Sequence, residues 1–530
     1  MAQSLCIGFL ITESAELPAW EFEILQQILN SDFATVPVFI LSPKRIISSG
    51  SFLFRLFRRF ENVWFRHSPD AFKLITITEL LKNSSVFHSW DINSLKQFDL
   101  DIIYSSCLVS YEDGIISAAR SGIWSINFGD GKYKEGNPPA FWEVMNNEAV
   151  TGSSLEVQLP KTEKKVTVYA GRTSSVPYSV KNNLNSIAWK SSSFFPCRIK
   201  EYFLLGPEIF FRKYRIDSIQ NHQMLRQGKF TYPGNITMFW LFFKNIFLYI
   251  RYKFRIIFTR KRFTILFSNE QFNGKSIELS KFKALPLPGK TFWGDPFIMK
   301  SEHRQFVFFE EYVYKTGKGH ISVVEMNIDN TCSDPVTLLE RQYHLSYPFV
   351  FEWEESFYMI PETSSNKTVE LYKSKDFPFE WEFVMNLMEN IILIDATLVY
   401  SDGKWWMFGN TNFHPFTSLN DQLVLFYSDS LISNKWQAHP QNPVVTDISN
   451  CRPAGKIFRI YNDLYRPAQN NASQQYGYAL KLNKIITLTA IEYKEEEVFE
   501  IKPDKKNYLS AVHTINFTED LIVIDGILRK

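Results

Sequence analysis

Cysteine is scarce in this chain: five residues in 530, at Cys6, Cys107, Cys197, Cys332 and Cys451. None stands at metal-ligand spacing from another, and no histidine spacing supplies a zinc pattern, so no metal is expected. An odd, scattered set also makes no disulfide framework and predicts reduced thiols in a cytoplasmic compartment. The start, MAQSLCIGFLITES, lacks a basic stretch ahead of its apolar run. It therefore reads as a first strand and not as a secretion signal. The pattern G-x-G-x-x-G is missing from the early strand-and-helix region, which removes the usual dinucleotide fingerprint. Acidic residues are absent from residues 234–262, although the formal net charge of the whole chain is only +2. The balance hides an asymmetry, with a basic middle and later acidic runs such as EYKEEEVFE.

What fills that acid-free stretch is aromatic and basic: GNITMFWLFFKNIFLYIRYKFRIIFTRKR. It has the length of a membrane span, but Lys244, Arg251, Lys253 and Arg255 would be costly at the centre of a bilayer. An amphipathic helix lying in a headgroup layer accounts for both the apolar and the cationic residues. A buried inter-domain helix with basic ends is the plainer possibility. Residues 52–66, FLFRLFRRFENVWFR, repeat the chemistry, with Arg55, Arg58 and Arg59 at helical spacing. An anionic membrane surface, met through residues 238–262 and 52–66, is the expected partner. Nucleic acid is not, because the intervening residues are too apolar for a phosphate-binding stripe.

The chain is long enough for two or three domains. Residues 1–200 alternate strand and helix signals (LCIGFLI, PAWEFEILQQILN, TVPVFIL, DLDIIYSS, IWSINF) and predict an α/β domain with a parallel sheet. Its natural site is the loop after IWSINF, GDGKYKEGNPPAFW. Residues 201–270 read as a basic amphipathic helical connector. Residues 271–530 change to short alternating strands. Five motifs, WGDPF, YPFVFEW, DATLVY, CRPAGKIF and HTINF, recur along this region and predict an all-β five-bladed propeller.

Two resemblances follow from these motifs. SGIWSINFGDGKYKEGNPPAFWEVMNNEAVTG resembles the methionyl-tRNA formyltransferase-like fold. The resemblance puts Asn127 on the family's catalytic asparagine, but its catalytic histidine falls on Gly129, and LPKTEKKVTVYAG contains no aspartate for the third position. Asn127 and Asp130 are left as candidate site residues with formyl transfer in doubt. FWGDPF, HLSYPFVFEW, YMIPET, DATLVYSDGKWWMFGN, WQAHPQNPVV, CRPAGKIF, LYRPAQN and VIDG resemble the propeller region of plant glucosamine inositolphosphorylceramide transferases. That region is also broadly similar to glycoside hydrolases of the arabinanase and β-xylosidase type. The exostosin-like transferase domain of the plant proteins has no counterpart here, so their activity does not transfer by resemblance.

Chemistry at an acetal carbon needs a proton donor and a carboxylate base or nucleophile. Asp295, Glu362 and Asp395 interrupt apolar stretches at blade starts, where an unpaired carboxylate would be costly to bury. They are the candidate catalytic residues: Asp295 as base or nucleophile, Glu362 as acid and Asp395 as the group that tunes it. Each could instead cap strand ends. Glu310 and Glu311, in FFEEY, are second-tier alternatives. Arg452 and Arg466, in two Arg-Pro-Ala motifs, suit an anionic sugar or sugar phosphate. Gln469, His344 and Trp406 complete the substrate-binding candidates, with Tyr476, His439 and His513 beside them in motif. Trp405 and Trp406 point to opposite faces of a strand, so one should be core and the other should pack on the neighbouring blade or stack on a sugar ring.

The expected function is that of a membrane-peripheral, cytoplasmic, carbohydrate-active protein of glycan or glycolipid synthesis. Glycosyl transfer to or from a glycolipid is the leading form, with a nucleotide sugar as the donor it would draw on. A glycoside hydrolase would use similar carboxylates. Two further functions fit parts of the chain: a non-catalytic scaffold, and a formyltransferase acting on an amino sugar.

Overall fold

The computed structural model describes residues 4–528, apart from 45–49, 66–68, 130–137, 163–164, 223–231, 259–261, 273–276, 288, 328, 473–475 and 504–508. Asp130 lies outside the described residues. The chain divides into two compact units, residues 1–257 with 413–417 and the remainder.

The first unit is built on a seven-stranded sheet. Leu5–Thr12 lies between Ala34–Ser42 and Ile102–Ser105 and is parallel to both. Ser85–His88 and Ile123–Phe128 extend the parallel part outward. Val150–Gln158 and Lys165–Ser174 then add two antiparallel strands. The sheet is therefore mixed, and its α/β class follows from helices that cover it. Ala19–Leu29 buries Trp20, Ile24, Leu25 and Ile28, the i, i+4, i+5 and i+8 positions that share one helix face. The run DGIISAARSG, which reads as a helix, forms only the short 3₁₀ turn Asp113–Ala118.

Residues 201–270 are more than a connector. The helix Phe194–His222 breaks at Gly206, whose φ of 75° is open to glycine, followed by Pro207. The basic aromatic segment forms the helix Asn235–Phe258. The next strand, Phe263–Ser268, belongs to the propeller, where it pairs antiparallel with Ile522–Leu528.

The second unit contains five four-stranded sheets. Four are continuous in sequence, beginning with Thr291–Ser301, Ser346–Trp353, Ile394–Ser401 and Phe458–Ile460. The fifth joins Leu509–Phe517 and Ile522–Leu528 to Phe263–Ser268 and Lys283–Ala284. Both ends of the propeller segment thus meet in one blade and close the ring. No blade holds a core alone. Apolar clusters form between blades, as where Phe308, Tyr347, Met359 and Met407 pack together and where Trp406, Phe408, Leu464 and Ile485 do.

Candidate active site at the propeller axis

One irregularity is repeated from blade to blade. The pairing of the first two strands slips between Gly294 and Phe297, between Ser346 and Phe349, between Ile394 and Thr397, and between Val512 and Ile515. Each slip is a β-bulge, which bends the strand and re-aims a side chain. The re-aimed residues are Asp295, Tyr347, Asp395 and His513. Arg452 holds the matching place in the remaining blade, followed by proline as Asp295 and Tyr347 are. Asp295, Tyr347 and Asp395 have φ of 51°, 43° and 54°. Non-glycine residues rarely adopt this left-handed region, and where they do the surrounding structure must hold them there.

The holding contacts are visible. The Asp295 backbone N–H donates to Asp525 Oδ2 at 2.8 Å, and Asp295 Oδ1 accepts from the Thr514 hydroxyl at 2.9 Å. His513 lies between two carboxylates, with Nδ1 2.6 Å from Asp525 Oδ1 and Nε2 3.4 Å from Asp295 Oδ1. Those carboxylates push the His513 pKa up against the effect of burial. Phe263 stacks on the imidazole at 4.5 Å between ring centres. Among the described residues, Asp295 Oδ2 makes no hydrogen bond, so one oxygen of this carboxylate is available to a substrate.

Tyr347 ties blades together. Its hydroxyl accepts the Gly455 N–H at 2.9 Å and lies 2.9 Å from Thr397 Oγ1, joining three blades. Lys456 adds a second tie, its Nζ reaching Ile298 O at 3.2 Å.

Asp395 is gripped by Arg452, with Nε to Oδ2 at 2.5 Å and Nη2 to Oδ1 at 3.2 Å. Arg452 Nη1 also donates to Asn420 Oδ1 at 2.7 Å, and the guanidinium sits 5.0 Å over the Tyr476 ring. Burial pushes the Asp395 pKa up to about 7, Arg452 draws it down, and Asp295 and Glu362 raise it again.

Two glutamates come from the second strands, each paired with the residue before a bulge: Glu310 with Gly294, and Glu362 with Ser346. Burial raises the Glu310 pKa well above the usual range, and the charges of Asp295, Glu362, Asp525 and Asp395 raise it further. Burial and these charges both favour the neutral form of Glu310. His344 lies 3.4 Å from Glu310 Oε1 through Nε2. Its Nδ1 accepts the Gly319 N–H at 2.9 Å, which leaves the proton of the neutral ring on Nε2. A Cβ on Gly319 would stand 2.7 Å from Glu310 Oε1 and 2.8 Å from His344 Cε1, so only glycine leaves room for the pair. Glu362 accepts from the Ser346 hydroxyl at 3.3 Å and from the Ser364 hydroxyl.

The structure thus brings Asp295, Glu310, Glu362, Asp395, Arg452 and His344 to one site. It does not bring the rest. Arg466 is consumed by Glu495 through Nε at 2.8 Å and Nη2 at 2.6 Å, and by the carbonyls of Asn450 and Cys451. The second Arg-Pro-Ala motif is a buried structural ion pair, because its strand turns that side chain into the blade. Trp406 is core between blades, with its indole N–H donated to Ser401 O at 3.2 Å; Trp405 is buried too. Gln469 is fully buried and donates to Pro453 O at 3.1 Å. His439 Nε2 is 3.0 Å from Thr489 O, at a blade-to-blade contact. In the first unit, Asn127 Nδ2 donates to Glu156 Oε1 at 3.0 Å.

Asp525 and Tyr347 are the site residues that sequence reasoning missed. Their signal was present: an aspartate inside the apolar run LIVIDGI, and a Tyr-Pro aligned with Asp-Pro in WGDPF. Asp295, His513 and Asp525 place ligand atoms within 4.8 Å of one another, close enough to hold a cation. Asp525 already accepts two backbone N–H groups, from Asp295 and Thr514, beside the imidazole. That donor set is complete as a hydrogen-bonded relay.

Known proteins resemble part of this chain. The chain is 37% identical over 221 residues to glucosamine inositolphosphorylceramide transferase 1 of Oryza sativa subsp. japonica, covering 41% of this chain and 29% of that protein. The Arabidopsis thaliana transferase of the same name is 29% identical over 234 residues, 43% of this chain and 30% of that one. The match spans about three-tenths of the length of these relatives. A family 117 glycoside hydrolase from Zobellia galactanivorans aligns at a TM-score of 0.34 and 10% identity, over 51% of this chain and 91% of that one. A Cellvibrio cellulosa α-L-arabinanase aligns at 0.31 and 10% identity, over 39% and 77%. Residues 283–513 match the family model described as glucosamine inositolphosphorylceramide transferase 1, N-terminal.

Proposed function

We propose that the propeller axis is a sugar site for an anionic glycolipid headgroup or sugar phosphate, and that it supports glycosyl transfer. The observation that carries this is the gathering of Glu310, whose pKa burial and neighbouring acids raise, an Asp295 with one open oxygen and an Arg452-held Asp395 at the axis. Acetal chemistry requires a proton donor and a carboxylate on one site. In this reading Asp295 is the base or nucleophile, its anionic form favoured by the charge of His513, which is itself held by Asp525. Glu310 is the acid, in preference to Glu362, whose two oxygens both accept hydroxyl hydrogen bonds. Arg452 orients Asp395 and supplies the positive charge that an anionic substrate would meet. The plant relatives, named for action on inositolphosphorylceramide, support the substrate class, and a nucleotide sugar is the donor class to test. Glycoside hydrolysis would use the same residues with water as acceptor.

We further propose that the protein works peripherally at the cytoplasmic face of a membrane. What supports the cytoplasmic side is the sequence: five scattered cysteines, an odd number, do not make a disulfide framework. Formyl transfer to an amino sugar is the weaker reading, since Asn127 is engaged with Glu156 and Gly129 offers no side chain.

The test is turnover of a nucleotide sugar with an inositol-phosphate-bearing lipid, compared with release of free sugar. Asp295→Asn and Glu310→Gln should each reduce turnover by about 10²–10⁴-fold, with the fold and ligand binding retained. A second reading has its own observation: the matching family region is the N-terminal part of a longer transferase. If the wild-type protein binds the headgroup and turns over nothing, the propeller is a recognition module and the catalytic reading is lost.

A further inference from the structure

Most helices of a folded domain turn their apolar stripe inward. The helix Asn235–Phe258 does the reverse over most of its length. Its inward residues are Met238, Leu241, Phe242 and Asn245. Its outward residues are Ile236, Phe239, Trp240, Phe243, Ile246, Phe247, Ile250 and Phe254, spaced by threes and fours along one face. Ile236 is 80% exposed, Trp240 68% and Phe247 62%.

A second helix continues this surface. Phe52–Trp64 starts at Ser51, whose hydroxyl accepts the Phe54 N–H. It buries Phe54 and Phe57 against Phe141, Trp142, Met145 and Met238. Phe57 and Phe60 both meet Phe242 edge-on, and Asn235 Oδ1 accepts the Leu53 N–H at 2.9 Å. The two helices are therefore one packed pair within the first unit. The outer face of Phe52–Trp64 adds Phe52, Leu56, Val63 and Trp64, all more than half exposed.

Charge says what covers this face. Arg58 and Arg59 are exposed on the first helix, and Arg251 and Lys253 on the second, while Lys244 Nζ donates to Met145 O at 2.6 Å. The second helix contains no acid, and the first has only Glu61. That residue is buried, accepting from the Ser179 hydroxyl and the Lys181 N–H. An apolar stripe bordered by cations with no exposed acid complements an anionic headgroup layer, the aromatics entering the acyl boundary and the cations meeting the lipid charge. No described helix is long and apolar enough to cross a membrane.

We propose that Phe52–Trp64 and Asn235–Phe258 form a single in-plane docking platform for an anionic lipid surface. This rests on the reading of a protein that works at a membrane, and it specifies the elements and the lipid charge.

The full chain is floated with vesicles of phosphatidylcholine alone and with added phosphatidylserine. Wild type should bind the anionic vesicles, lose binding as salt rises, and bind neutral vesicles at least about tenfold more weakly. The double variant Trp240→Ser/Phe247→Ser should lose binding to both, with unchanged circular dichroism, as expected for exposed positions. Arg58→Gln/Arg251→Gln should lose the preference for anionic vesicles. Absence of wild-type flotation, equal binding to both vesicles, or full binding by the Ser variant would each overturn the platform. So would a chain that forms dimers through this face, with dissociation by the Ser variant and no flotation. Asp295→Asn, which tests the sugar site, should float like wild type, so the two readings fail separately.

Discussion

Arg452 and Arg466 stand in the same tripeptide, Arg-Pro-Ala, on neighbouring segments of one blade, and they do opposite things. Both hold a carboxylate in a two-point grip. Arg466 grips Glu495 on the blade's own strand, is sealed by two backbone carbonyls and is 1% exposed. Arg452 grips an aspartate from the preceding blade at a bulge, beside four other acids, with Tyr476 beneath it. The lesson is that a motif names a side chain's chemistry, while strand position decides whether it is sealed inside one blade or joined to acids of other blades at the axis.

The harshest way to strain the comparison is Arg466→Met. It should destabilise the propeller by about 3–5 kcal/mol, because Glu495 is left buried without its partner. Urea unfolding measures this, and adding Glu495→Gln should restore part of the loss. An unchanged midpoint would mean the pair is not the anchor described. Arg452→Ala should cost less stability, about 1–3 kcal/mol, since Asp395 can take up a proton. It should weaken a sugar phosphate at least about tenfold while a neutral sugar is little affected, as calorimetry can follow. Equal losses for both ligands would remove Arg452 from anion recognition.

Trp406→Phe probes the same contrast on the next strand. It should lower stability by about 1–2 kcal/mol through lost packing and leave sugar affinity as it was, a result open to thermal melts with binding isotherms. The smallest effect on ligand affinity is that of pH. The folded Asp395 pKa, about 7, lies above its ordinary value. Its contribution to stability is therefore present below about pH 4 and lost as pH rises through about 7. The same protonation frees the Arg452 fork, so sugar-phosphate affinity should rise a few-fold, roughly 0.5–1 kcal/mol, as pH falls through 7. Asp395→Asn should flatten that profile; a slope that survives would locate the titration elsewhere.

Much of the fold was legible in the sequence. Alternation of apolar and polar residues is a local property, and it marked strands such as RQFVFFEEYV and KWWMFGN. The five recurring motifs gave the blade number. Ring closure was not legible, because Phe263–Ser268 pairs with a strand at the far end of the chain. At the site, Asp295, Glu362 and Asp395 were conspicuous as acids in apolar strands. The relay of His513 and Asp525 was not, since its members approach only through a bulge in the last blade.

By itself the sequence determined which residues could form strands, which helices would be both aromatic and cationic, and which acids could not stay in a core without a partner. These are consequences of side-chain polarity read at a period of two or 3.6. Tertiary structure alone decided which arginine reaches the axis, which glutamate has its pKa raised by neighbouring acids, and that both tryptophans of KWWMFGN are core. Those outcomes depend on burial and on charges brought close from distant parts of the chain, and neither quantity exists until the ring has closed.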